Sequence, residues 1–278
     1  MHNKNMKKFI TFLLLICLYF SLTPNICFAE QEVVLPIIMY HTILNSRQGT
    51  YIVSERQLSS DLEALHDEGY TSVFPSEVID YVYGKGKLPK KPVLITFDDG
   101  YYNNLYYGLP ILQKQGFKAN INIIGKITDD ESENGEKPNP NYSYLSWEEV
   151  KILKDSGNFE IGHHTYDMHK YEPRYGIGQL WNESDEDYKK SLESDTEKLL
   201  LKMEEKAHIM TSVFAYPFGK YNELSKNILT SMNFKMLLTC TEKVNIIQKN
   251  NPSCLLNLGR FNRRGDYSTS QLLQKIKG

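Results

Sequence analysis

The stretch Pro92-Val93-Leu94-Ile95-Thr96-Phe97-Asp98-Asp99-Gly100-Tyr101 decides how this chain is read. Its first six residues form an apolar run of strand length, the pattern of a buried strand. Two adjacent carboxylates end that run, and a glycine that tolerates unusual backbone angles lets the chain turn there. Further on, Gly162-His163-His164-Thr165-Tyr166-Asp167-Met168-His169 follows a shorter and less apolar candidate strand at residues 158–162. A lone Asp-Asp-Gly is ordinarily a turn. What lifts it above one is that carboxylates and imidazoles both fall at strand ends.

One carboxylate and two imidazoles suit a catalytic divalent cation, with positions left open for water and substrate. With Asp99, His164 and His169 on the cation, its charge keeps Asp98 ionised and lowers the pKa of a bound water, so Asp98 can take a proton as attack begins. This is the logic of metal-assisted hydrolysis. His164 and His169 are five residues apart and do not share a regular helical face, so their segment is expected to be a loop or irregular turn. His163 alternates away from His164 if the strand persists, which makes it a supporting or structural residue.

Working outward, strands and helices alternate. Residues 36–41 read as a strand, and Ser54 with Gln57 forms a capping box for a helix with Leu58, Leu62 and Leu65 on one face. Further strands are expected at 71–74, 93–97, 119–124, 159–163, 212–216, 234–238 and 255–261. Helices are expected at 75–83, ahead of Gly116, after a second capping box (Ser146 with Glu149), at 185–208 and at 223–232. The alternation implies a parallel sheet, and about seven or eight strands with site residues at their ends fit a distorted (β/α) barrel forming a single domain. Residues 128–141 and 171–187 read as long polar loops. The second carries Tyr171, Arg174, Tyr175 and Trp181, aromatics that either stack on a sugar ring or pack the loop down.

At 278 residues and 41% hydrophobic content the chain can bury one sizeable core. Residues 1–29 stand apart: Lys4, Lys7 and Lys8 precede an apolar run from Phe9 to Leu22, and Cys27-Phe28-Ala29 offers a cleavage point, so they read as a secretory signal, with an uncleaved anchor as the alternative. Removing them leaves 29 basic and 34 acidic residues, a net charge of −5 that argues against nucleic acid as a partner. Secreted or cell-surface localisation follows, with membrane or cell-wall association compatible and oligomeric state undetermined. Cys240 and Cys254 remain, either as a disulfide or as two thiols.

Thr96-Phe97-Asp98-Asp99-Gly100 resembles the first motif of the polysaccharide deacetylases, carbohydrate esterase family 4, and the resemblance extends over most of the chain from Pro36 onward. It implies that Asp98 is the general base and Asp99 a metal ligand. The family's usual second motif is His-[Ser/Thr]-x-x-His. Here Met168 takes the last position and the imidazole comes at His169, a form similar to that of the poly-N-acetylglucosamine deacetylases of biofilm formation. The implied activity is metal-dependent N-deacetylation of an N-acetylglucosamine-containing extracellular polysaccharide, with zinc the expected metal and nickel, cobalt or iron compatible with the same ligands. Alternatives are a deacetylase of peptidoglycan, chitin-like or xylan substrates, and a catalytically weak carbohydrate-binding protein of the same fold.

Two departures from the family pattern stand out. Ala215-Tyr216-Pro217-Phe218-Gly219 keeps the Pro-aromatic pair but lacks the arginine that commonly precedes it. The Phe218 backbone N–H is the implied oxyanion donor, with Pro217 and Tyr101 placed among the substrate contacts. The late histidine that serves the family as general acid is also missing. His41, at the end of the first strand, is assigned an acid or substrate-contact role against the alternative of a core histidine. Arg260 either orients Asp98, contacts an acetamido group, or is an ion-pair partner.

Overall fold

The computed structural model describes residues 32–277, so the expected leader lies outside the described residues. An eight-stranded, all-parallel sheet is built from β1 (Ile37–Tyr40), β2 (Thr71–Ser72), β3 (Pro92–Asp99), β4 (Ala119–Ile123), β5 (Phe159–His163), β6 (Val213–Ala215), β7 (Met236–Leu238) and β8 (Phe261–Asn262). The order is β7-β6-β5-β4-β3-β1-β8, with β2 on the first residues of β3. The sheet curls until its edges approach. Leu258, just before β8, forms a parallel bridge to Leu238 at the end of β7, while Phe261 pairs with Ile38 of β1. The result is a distorted barrel.

The apolar run of β3 is central because it is buried throughout: Val93, Leu94, Ile95 and Phe97 have no exposed surface. On its outer side, Leu58, Leu62 and Leu65 of α1 (Glu55–Asp67) are fully buried, and the Ser54–Gln57 capping box starts that helix. The second box caps the helix Trp147–Asp155 in the same way. The helix Asp185–Ala207 buries Leu192, Leu199 and Met203 along one stripe.

Two expectations are corrected. Residues 128–141 are not all loop, because Gly125–Asn134 is helical. That helix buries Thr128 and Asp129, and Asp129 accepts hydrogen bonds from Trp147 Nε1 (2.8 Å) and the Tyr166 hydroxyl (2.8 Å). Polar residues do its packing, so no apolar period advertises it. The strand expected at 255–261 shrinks to Phe261–Asn262, since a 3₁₀ turn occupies Pro252–Leu255 and Asn257 is left-handed (φ 64°). Two further features have no counterpart in the reading: a ribbon in which Glu32–Leu35 pairs antiparallel with Asn245–Gln248, and a C-terminal helix, Thr269–Lys277. Cys240 and Cys254 are free thiols.

Candidate metal centre and active site

The site lies where β1, β3, β5 and β6 end. β3 closes on Asp99 (φ 71°) and Gly100 (φ 77°), two successive left-handed residues that swing the chain off the sheet. Glycine adopts this conformation freely and aspartate only at a cost. The segment after β5 contains Thr165 at φ 73°, a rarer case because its side chain is β-branched, and the turn after β6 holds Phe218 at φ 56°. Strained backbone thus recurs at each of these three turns, as it does where surrounding structure enforces a functional geometry.

Asp99, His164 and His169 converge. His164 Nε2 lies 3.5 Å and His169 Nε2 3.4 Å from Asp99 Oδ1, and one ligand atom from each residue falls within 4.8 Å of the others. Asp99 Oδ1 is buried and has no hydrogen-bond partner among the described residues. These separations are long for hydrogen bonds, yet they match the roughly 3.3–3.6 Å between neighbouring ligand atoms around a tetrahedral ion with bonds of about 2.0–2.2 Å. The donor set fits a divalent cation.

The imidazoles are prepared for that role. The ring Nδ1 of His164 is 2.7 Å from the Ala215 carbonyl, which can only accept, so this nitrogen carries a proton and Nε2 faces Asp99. Burial disfavours charge on the ring, but the Asp98 and Asp99 carboxylates outweigh it and raise its pKa, so a cation would take the place of the Nε2 proton. Burial, reinforced by the positive field of His164, lowers the His169 pKa to about 4 and leaves that ring neutral. His163 faces elsewhere: it stacks on Phe214 at 5.0 Å, and burial lowers its pKa to about 3.

Asp98 sits beside the cluster in a different environment. Arg260 grips it bidentately, Nη1 to Oδ1 and Nη2 to Oδ2, each at 2.8 Å, and Asn122 Nδ2 donates to Oδ1 at 2.7 Å. Burial pushes the carboxyl pKa up, but the Arg260 charge, followed by that of His164, outweighs it and holds the group well below the usual carboxylate range. Arg260 is itself fixed by the Thr239 carbonyl (2.9 Å). It is fully buried on the carboxylate, so of the roles open to it the structure shows the one that orients Asp98, and its placement among the substrate contacts is corrected. Pro217 is corrected likewise: it is buried and its carbonyl accepts the Lys220 N–H (3.0 Å).

A cleft of about 720 Å³ opens over the cluster, lined among others by His41, Asp98, Asp99, Tyr101, His169 and Phe218. Tyr101 stacks on Tyr144 at 4.6 Å. His41 Nδ1 is buried with no partner among the described residues, its ring 4.7 Å from that of Tyr51. Asn122 escaped the sequence reading, since an asparagine inside an apolar strand carries no motif. Its signal was there nonetheless: Asn120 and Asn122 alternate on one face of a buried strand, and a buried amide needs polar partners.

Fold and cluster together define a class of site, a buried carboxylate beside a three-residue donor set that fits a divalent cation, and the comparisons give it a family. The polysaccharide deacetylase family model matches residues 85–237, and the chain belongs to that family. It is similar to the poly-beta-1,6-N-acetyl-D-glucosamine N-deacetylase of Staphylococcus aureus (31% identity over 199 residues, 69% of this chain and 62% of the relative). It is likewise similar to YxkH of Bacillus subtilis, a chain itself named after the polysaccharide deacetylases (31% over 210 residues, 76% and 66%). The chain therefore spans just under two thirds of these relatives. Among solved structures, IcaB from Ammonifex degensii superposes with a TM-score of 0.72 at 26% identity, covering 88% of this chain and 98% of that one. The Streptococcus pyogenes deacetylase PplD, in complex with acetate, gives 0.71 at 25%, covering 89% and 100%.

Proposed function

We propose that this chain removes N-acetyl groups from an N-acetylglucosamine-containing extracellular polysaccharide, with a divalent metal held by Asp99, His164 and His169. One observation carries the reading: three convergent ligand atoms beside a carboxylate that Arg260 and Asn122 hold ionised. A bound cation, zinc or else nickel, cobalt or ferrous iron, would polarise the acetamide carbonyl and acidify the attacking water.

The chain's own residues supply the rest. Asp98 accepts the water's proton, and its fixed orientation places the basic oxygen without reorganisation. The new C–O bond pushes charge onto the carbonyl oxygen, where the Phe218 backbone N–H donates. As the C–N bond breaks, the amine nitrogen takes a proton and acetate departs. His41, lining the same cleft with an uncommitted ring nitrogen, is positioned to deliver that proton. Tyr101 contacts the sugar. The relatives named for poly-β-1,6-N-acetylglucosamine support that polymer class. The apolar N-terminal segment supports export, either to the medium or to the cell surface.

Acetate release across a panel of N-acetylglucosamine oligomers, peptidoglycan, chitin oligomers and acetylated xylan, with each metal added in turn, tests the reading. Release from N-acetylglucosamine oligomers is expected. Release from acetylated xylan alone would move the substrate assignment, and none under any metal would remove the enzymatic one.

A further inference from the structure

The loop after His169 does more than connect β5 to the long helix. Tyr171 and Tyr175 both line the cleft, and each packs on the ring of Phe218, with centroids at 4.6 and 4.8 Å. Their own separation of 5.8 Å puts them side by side, not on opposite faces of Phe218. Phe218 in turn contacts His169 at 4.4 Å, so the aromatic cluster is continuous with the metal-ligand group.

Packing alone does not account for these rings. Tyr171 is 71% and Tyr175 46% exposed, although the loop that carries them is firmly anchored. Arg174 pairs with Glu183 and donates to the Gly178 carbonyl (2.7 Å), and the Tyr188 hydroxyl donates to the Ile177 carbonyl (2.6 Å). Gly176 (φ 56°) lies so close to the turn after β6 that a Cβ there would meet the Pro217 carbonyl oxygen at 2.8 Å. The loop is thus held by residues other than the tyrosines, and two rigid aromatic faces are left open at the mouth of the cleft. A pyranose chair with equatorial substituents offers an apolar face of axial C–H groups, the natural partner of such a ring.

Resting on the deacetylase reading above, we propose that Tyr171 and Tyr175 form a stacking subsite for a sugar ring next to the one being deacetylated. The site thereby selects β-linked N-acetylhexosamine oligomers over the single sugar. Phe218 links the two functions, its ring supporting the platform while its backbone faces the reaction.

The test is binding, measured calorimetrically on chelator-treated protein so that no turnover intervenes, with N-acetylglucosamine and its β-1,6-linked pentamer as probes. Tyr171→Ala with Tyr175→Ala should weaken pentamer binding by about tenfold or more, leave single-sugar binding unchanged, and be rescued by Tyr→Trp at both positions. In the metal-loaded enzyme the same loss should appear in KM for the pentamer with kcat retained. Pentamer binding equal to wild type, or an equal loss for both probes, would overturn the subsite. Because binding is read without turnover, an inactive wild type would sink the deacetylase reading and leave this measurement to be judged separately.

Discussion

Asp98 and Asp99 are neighbours with opposite requirements, and their surroundings separate them. Asp99 keeps an oxygen free of hydrogen bonds among the described residues and faces two imidazoles, whereas Asp98 accepts three hydrogen bonds from an arginine and an amide. Removing the base leaves the ligand cluster intact, so Asp98→Asn should lower kcat by roughly 10²–10⁴-fold while bound zinc stays near one per chain. Metal analysis alongside acetate release checks both halves, and loss of zinc in this variant would refute the division of labour. Arg260→Ala is expected to be worse for the fold than for the metal. It leaves a nearly buried carboxylate without its cationic partner, at a cost of about 3–5 kcal/mol, which chemical denaturation would measure.

At the scale of elements, strand neighbours hold Asp98, the proposed base. Asn120 Nδ2 donates to Asn122 Oδ1 at 2.7 Å, and Asn122 passes the order on to Asp98. Gly162 of β5 makes room for this ladder: a Cβ there would stand 2.0 Å from Asn122 Oδ1. Gly162→Ala should therefore displace Asn122, lower kcat at least about tenfold, and destabilise the protein by about 1–3 kcal/mol, in line with overpacking of a filled core. Unchanged kinetics in that variant would show that Asn122 does not hold the base. This element also marks what could be read in advance. The β3 run, the two capping boxes and the strand-end carboxylates and imidazoles were legible because periodicity and local chemistry specify them. Arg260 as the tether on Asp98 was only one of three roles left open, since it is 162 residues away and the curled sheet alone brings it there, and Asn122 was not read at all. The helix at Gly125–Asn134 stayed hidden because it packs through hydrogen-bonded polar groups.

For the molecule as a whole, two arrangements hold distant parts of the chain together. The first is the buried pair of Arg263 with Asp61, Nη2 to Oδ1 at 3.0 Å and Nε to Oδ2 at 2.5 Å, to which Tyr40 and Thr269 hydroxyls also donate. It fastens α1, β1 and the C-terminal helix where the sheet closes. Arg263→Ala would leave Asp61 buried and uncompensated, for an expected loss of about 3–5 kcal/mol. At about 2–4 °C per kcal/mol for a chain of this size, the melting temperature should fall by roughly 6–20 °C. The second is the Asp99, His164 and His169 cluster, which joins the end of β3 to the loop after β5. A cation that binds only the folded chain stabilises it by mass action, by about 2.7 kcal/mol at a free concentration a hundredfold above its dissociation constant. Zinc should therefore raise the melting temperature of chelator-treated protein by roughly 5–11 °C at that excess, by the same conversion. His164→Ala and His169→Ala should each abolish the shift, while Tyr171→Ala, outside the ligand set, should keep it. A full zinc-dependent shift in both histidine variants would place the metal elsewhere and remove the premise on which Asp98 acts as a base.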